Sequence, residues 1–188
     1  MPMPHIRPQA AAGLTLLLVL VFTASALAQQ GTRVIGTVEG TLAAEERTWY
    51  ALDYGEGEPT ASVMDFGFGL LSISIVANPE QRFMVEGALS IDISVMGALE
   101  CPCVFEDAAV TYWSSTSMFS DLYVSDEPGW ARVTITRWEQ LADGLYALEG
   151  EVEAELVYLA GITANPDGER RLQLDATITI DELLEEAF

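Results

Sequence analysis

Four glutamates occupy every second position of one short run, LEGEVEAEL at residues 148–156. On a β-strand Glu149, Glu151, Glu153 and Glu155 share one face, and neighbours on that face lie roughly 6.6 Å apart, twice the rise per residue. Two carboxyl groups roughly 5 to 10 Å apart are what most glycoside hydrolases use for catalysis. A row of charges is also typical of a solvated strand face that resists pairing with other chains. We favour the solvated face, because any acidic strand gives this pattern.

Asp53, Glu56 and Glu58 form the best local candidate for a metal site. Calcium takes six to eight oxygen ligands from carboxylates and carbonyls in loops. The segment interleaves acids with Gly55 and Gly57. It lacks the full spacing of a calcium-binding loop, so a plain acidic turn explains it as well. We favour the plain turn and predict no cofactor, with calcium as the alternative.

Cys101 and Cys103 are the two thiols of the chain, and Pro102 separates them. In an exported protein two cysteines have a single intramolecular connectivity. Residues two apart on an extended strand lie roughly 6.5 to 7 Å apart, near the outer limit for a disulfide, so a bridge requires a kinked turn. We predict a local structural disulfide, with a redox role or soft-metal binding as alternatives.

Four tryptophans, Trp49, Trp113, Trp130 and Trp138, are candidates for stacking against a ligand. Outward-facing aromatic rings stack on sugars or anchor a partner protein. Aromatic side chains also commonly cover the edges of a core. The four tryptophans form a binding platform only if they share one face.

The first 28 residues have the layout of a secretory signal peptide. Arg7 precedes an apolar run from Leu14 to Phe22, and the small residues Ala26-Leu27-Ala28 predict cleavage before Gln29. The apolar run is too short to span a bilayer as a mature helix. We therefore expect an exported protein, periplasmic or extracellular, that does not span the membrane after cleavage.

The mature chain, residues 29–188, has a restricted chemical repertoire. The full chain has 8 basic and 29 acidic residues, and cleavage removes Arg7, which leaves seven arginines and a formal net charge of −22. Cleavage also removes the single histidine, His5, and the chain has no lysine. Histidine-based catalysis, histidine metal sites and Schiff-base lysines are thereby excluded. We predict no catalytic residue and no enzyme, and the acidity disfavours nucleic acid as a partner.

From Arg33 onward the chain alternates short runs rich in Val, Ile, Thr and aromatics with Gly, Asn-Pro and Asp-Gly turns. About 160 mature residues suit one domain. We expect residues 29–188 to form an all-β domain: a single antiparallel, jelly-roll-like β-sandwich of about 8–10 strands. Helical periodicity in residues 181–188 predicts a short C-terminal helix. The alternative fold is an up-and-down, lipocalin-like β-barrel.

Turn chemistry predicts the register of two hairpins. Asn-Pro-Asp-Gly at residues 165–168 suits a tight turn. Closing the hairpin there pairs Leu156 with Ile178 and turns the four glutamates outward. Residues 78–81 predict a second hairpin of the same kind, in which Ile75 pairs with Val85.

The leading functional interpretation is a non-enzymatic binding or interaction module for a glycan or an envelope protein. The second is a carrier barrel for a small hydrophobic ligand. A carboxylate-dependent glycoside hydrolase is the third. The ligand and the oligomeric state stay open. The carrier would have a continuous apolar cavity lined by Leu71, Ile73, Val85, Leu156 and Ile178.

Overall fold

The computed structural model describes residues 31–55 and 58–186, which form an all-β fold. The predicted signal peptide lies outside the described residues. None of the described residues belongs to a helix long and apolar enough to cross a membrane. Eleven strands are present in these residues: β1 (Arg33–Leu42), β2 (Glu45–Asp53), β3 (Ala61–Asp65), β4 (Leu70–Asn78), β5 (Leu89–Met96), β6 (Cys103–Phe105), β7 (Ala109–Trp113), β8 (Leu122–Val124), β9 (Trp130–Ala142), β10 (Leu145–Leu159) and β11 (Asp167–Glu186).

The strands join into one mixed sheet with a ring-like arrangement, and β10 and β11 are its longest members. The two pair antiparallel from Leu145 to Tyr158. The other edge of β11 pairs with β1 and then, in parallel, with β3. The other edge of β10 pairs with β9 and then with β8. Strands β4, β5 and β7 complete the ring between β3 and β8.

A single large cluster of buried side chains fills the space that these strands enclose. Alternation along β10 explains how it forms, because Val152, Ala154 and Leu156 are at most 1% exposed while the glutamates between them face outward. Ile73 and Ile178, from β4 and β11, are also fully buried in it. Burial of apolar surface on one face of every long strand therefore holds the ring closed.

The predicted C-terminal helix is wrong as far as residue 186, because Asp181–Glu186 continue β11. Leu184 pairs with Leu145 of β10 on one side and with Ser62 of β3 on the other. Leu183 is fully buried. Strand partners on both edges override the helical preference of the segment. The strand count exceeds the predicted 8–10, and the parallel pairing of β3 with β11 makes the sheet mixed rather than wholly antiparallel.

The predicted hairpin registers are also wrong, although the predicted faces are right. Leu156 pairs with Leu172, six residues before the predicted Ile178. The turn lies earlier than expected, at residues 160–166, where Ile162 N–H donates to the carbonyl of Phe119 in another loop. The shift is even, so each side chain keeps its face. A tertiary contact therefore overrides the local turn preference.

The register of β4 against β5 shifts by the same even step, since Ile75 pairs with Ile91. The connection spans residues 79–88 and folds over the core. Trp49 Nε1 donates to the Gly87 carbonyl at 2.8 Å, and the buried Asn78 side chain accepts from Met84 N–H at 2.9 Å. These buried polar contacts fix a longer loop than the sequence predicts.

Two alanines close the β1–β2 hairpin in a conformation that favours other residues. Leu42 pairs with Glu45, so the loop has two residues, and both have positive φ, 53° at Ala43 and 64° at Ala44. A two-residue hairpin with this geometry prefers Asn-Gly. The left-handed region costs an L-residue with a Cβ about 1–2 kcal/mol.

We expect Ala44→Gly to raise the free energy of unfolding by about 0.5–1 kcal/mol, because glycine removes the Cβ crowding and its greater unfolded-state entropy offsets only part of that gain. Urea denaturation of a protein of residues 29–188 measures the change. Ala164→Gly, in an exposed loop, is the matched control and should give no gain. Equal effects of the two substitutions would contradict the strain at Ala44.

Candidate functional site

A cavity of about 210 Å³ lies where three distant parts of the chain meet. Val63 of β3 and Leu71 of β4 form part of its wall, together with Leu99 from the loop after β5. The β9–β10 hairpin and the end of β11 complete it. We call it the Trp138 cavity, after the largest side chain that lines it.

Two aromatic rings of the β9–β10 hairpin form one side of the Trp138 cavity. Trp138 and Tyr146 stack with centroids 4.8 Å apart and an angle of 20° between their planes. Leu148 pairs with Trp138 across the hairpin, which places Tyr146 diagonally opposite the indole on the same face. Both rings are half-buried and pack against the main core. The pair is a rigid apolar surface with a polar tip at the tyrosine hydroxyl.

Two carboxylates line the same cavity. Tyr146 Oη donates to Glu185 Oε2 at 3.1 Å, and Asp65 Oδ1 accepts from Gly67 N–H at 2.7 Å. The Glu185 backbone N–H donates to the Gly144 carbonyl at 2.9 Å, which ties the end of β11 to the β9–β10 turn. The backbone and the tyrosine thus hold both carboxylates in place.

The environment of the Tyr146 hydroxyl keeps it protonated. Burial raises its pKa above the usual value, and the carboxylates of Glu185, Asp143 and Asp65 raise it further. The phenol therefore remains a hydrogen-bond donor at neutral pH. The Trp138 cavity combines an aromatic surface with acceptor carboxylates and a neutral hydroxyl, so it offers hydrogen-bonding groups beside an apolar surface.

The four tryptophans do not share a face. Trp49 is 1% exposed and belongs to the core. Trp113 packs against a second small cluster, and its Nε1 donates to the Met118 carbonyl. Trp130 is 44% exposed at the start of β9. Of the four, only Trp138 lines the Trp138 cavity.

Three of the four residues that define the site were not singled out from the sequence. Asp65, Tyr146 and Glu185 come from strands β3, β10 and β11. No local motif joins them, because their neighbours in space lie far away along the chain. Tyr146 is a single aromatic residue at the start of β10, so the sequence around it contains no aromatic cluster that would signal a site.

The four glutamates face solvent, as the alternation predicts. Glu151 and Glu153 are exposed and the other two are half-exposed. Three of them lie beside arginines of the flanking strands, whose charges offset part of their repulsion: Glu149 with Arg137 at 2.5 Å, Glu153 with Arg132 at 3.9 Å, and Glu155 with Arg171. Surface pairs of this kind contribute about 0–1 kcal/mol each. The row is a solvated strand face with ion pairs to the neighbouring strands.

Both carboxylate oxygens of Asp53, a residue of the predicted calcium site, accept hydrogen bonds from the protein itself. Its Oδ1 accepts from Gly55 N–H at 2.7 Å and its Oδ2 from Arg33 at 3.0 Å, and these two contacts lower its pKa. Glu58 is exposed, and Glu56 lies outside the described residues. Residues 31–55 and 58–186 contain no group of three or more His, Cys, Asp or Glu placed to hold a metal ion. The calcium site stays a prediction.

Cys101 and Cys103 are free thiols in this structure, contrary to the predicted disulfide. Their Sγ atoms lie 3.3 Å apart, beyond the bond length of about 2.05 Å. The turn at Pro102 thus brings the sulfurs into contact without joining them. Burial, together with the neighbouring Cys101, raises the pKa of Cys103 to about 12. The redox and soft-metal roles stay predictions.

The raised pKa predicts slow alkylation of Cys103 in the reduced protein, because the thiolate is the nucleophile. At about pH 8.5 we expect the Cys101→Ser variant, which retains Cys103 and its burial, the largest cause of the raised pKa, to react with iodoacetamide at least about tenfold more slowly when folded than when unfolded in urea. Mass spectrometry of intact protein follows both reactions. Equal rates would show that burial does not suppress the Cys103 thiolate.

No family model matches the chain, and no curated protein or solved structure is significantly similar to it. The side chains of the Trp138 cavity are therefore the basis for assigning a function. Stacked aromatic rings beside carboxylates are its distinguishing feature.

Proposed function

We propose that the protein is an exported, non-enzymatic binding module that holds one ring of a glycan in the Trp138 cavity. The observation that carries the proposal is the stacked Trp138–Tyr146 pair, which lines a cavity together with Asp65 and Glu185. Apolar faces of sugar rings pack on aromatic rings, and sugar hydroxyls donate to carboxylates. The cavity supplies both kinds of contact within one space.

The size of the cavity supports a small occupant. Its volume is about 210 Å³, below the range of about 300–1,000 Å³ that is typical of sites for drug-sized ligands. A single ring at the end of a chain fits that volume better than a long oligosaccharide. The remaining sugars would extend over the surface of the protein.

The sequence supports export and a non-enzymatic role. Residues 1–28 have the layout of a signal peptide, and residues 29–188 contain neither histidine nor lysine. The carrier alternative receives less support, because Ile73, Leu156 and Ile178 pack into the closed core. A glycan at the cell envelope or outside the cell is consistent with an acidic exported domain.

Replacing Trp138 with alanine tests the stacking surface. We expect Trp138→Ala to weaken glycan binding by about tenfold or more, equivalent to about 1.4 kcal/mol, because the rigid aromatic wall is lost. A glycan array with the mature protein identifies the ligand, and isothermal titration calorimetry measures the dissociation constant. Trp138→Phe, which keeps a ring, should lose less affinity.

Trp130→Ala is the matched control, because Trp130 lies on the same strand, is 44% exposed and does not line the cavity. Its affinity should equal that of the unmodified protein. Circular dichroism shows whether each variant retains its sheet. An equal loss of affinity in Trp130→Ala and Trp138→Ala, or no binding to any glycan, would contradict the proposal.

A further inference from the structure

We infer that the ring held in the Trp138 cavity carries a positive charge, as the ammonium group of an amino sugar does. This inference rests on the proposed function and specifies its ligand. It follows from the signs of the charges around the cavity and from the carboxylate oxygens that the protein itself leaves available.

The charged groups that face the Tyr146 hydroxyl are all acidic. Glu185 accepts its hydrogen bond, and the carboxylates of Asp143 and Asp65 lie close enough to act on it electrostatically. The described residues that line the cavity include no arginine. Arg137, the neighbour of Trp138 in sequence, pairs instead with Glu139 and Glu149. The cavity therefore has a net negative charge without a counter-ion from its own wall.

Asp65 and Glu185 are exposed, and each has one carboxylate oxygen committed to a hydrogen bond with another described residue. Glu185 Oε2 accepts from Tyr146 and Asp65 Oδ1 accepts from Gly67 N–H. No described residue donates a hydrogen bond to Glu185 Oε1 or Asp65 Oδ2. An ammonium group has three donors and no acceptor, so it suits carboxylate oxygens that accept only.

The aromatic wall favours a cation for an independent reason. A positive charge over the face of tryptophan or tyrosine is attracted by the ring quadrupole, and the attraction grows when water is excluded. Trp138 and Tyr146 are half-buried, so part of that water is already displaced. A neutral sugar would stack on the aromatic rings but would gain no attraction from the carboxylate charges. An anionic sugar would be repelled by Asp65 and Glu185.

Three tetrasaccharides with related rings separate charge from stacking: a glucosamine oligomer, an N-acetylglucosamine oligomer and a glucose oligomer. Calorimetry with the mature protein at about pH 6 and matched ionic strength measures each dissociation constant. We expect the ammonium-bearing oligomer to bind at least about tenfold more tightly than either neutral one. Glu185→Gln and Asp65→Asn should each reduce that ratio severalfold while neutral binding persists.

Glu151→Gln is the control for the net charge of the protein, because it removes one charge from the distant glutamate row. It should leave the ratio unchanged. If the neutral oligomers bind as tightly as the charged one, the glycan function stands and the charged-ligand inference is overturned. If none of the three binds, both fail. If Glu151→Gln lowers the ratio as much as Glu185→Gln, general attraction explains the preference and the inference is overturned.

Discussion

The antiparallel pairing of β10 with β11 is the interaction on which the rest of the structure depends. Along one edge the two strands pair with each other. The second edge of β10 pairs with β9 and then with β8, and the second edge of β11 pairs with β1 and then with β3. The ring closes through these branch points. Apolar residues alternate with polar residues along both strands, so one face of the pair supplies much of the core. The acidic residues of β10 lie on its other, solvent-facing side.

The same branching brings the candidate site together. The end of β11 reaches past β1 and pairs in parallel with β3, which places Glu185 and Asp65 on one cavity. The β9–β10 hairpin projects Trp138 and Tyr146 into the same space. The cavity thus exists because β11 is long enough to pair with both β10 and β3. Its negative charge arises from residues that are scattered along the chain.

Sequence periodicity predicted the all-β class and the faces of the strands, because side chains alternate whatever the register. It failed where partners far away in sequence decide the outcome. The contact between Ile162 and Phe119 places the β10–β11 turn earlier than predicted. The segment around Leu184 is a strand instead of the predicted helix, because it pairs with strands on both edges. The same is true of the candidate site. Trp138 was one of four tryptophans proposed from the sequence. No local sequence pattern predicts that Asp65 and Glu185 lie next to it, because strands distant in sequence bring them there.

Native-state hydrogen exchange measures the central role of β10 directly. Val152 and Ala154 have pairing partners on both edges of β10, so we expect their amides to exchange only through global unfolding. Their opening free energy should equal the free energy of unfolding from urea denaturation. Amides of the three-residue strand β6 should exchange faster. Exchange of the β10 amides at a rate as high as that of β6 would contradict the account.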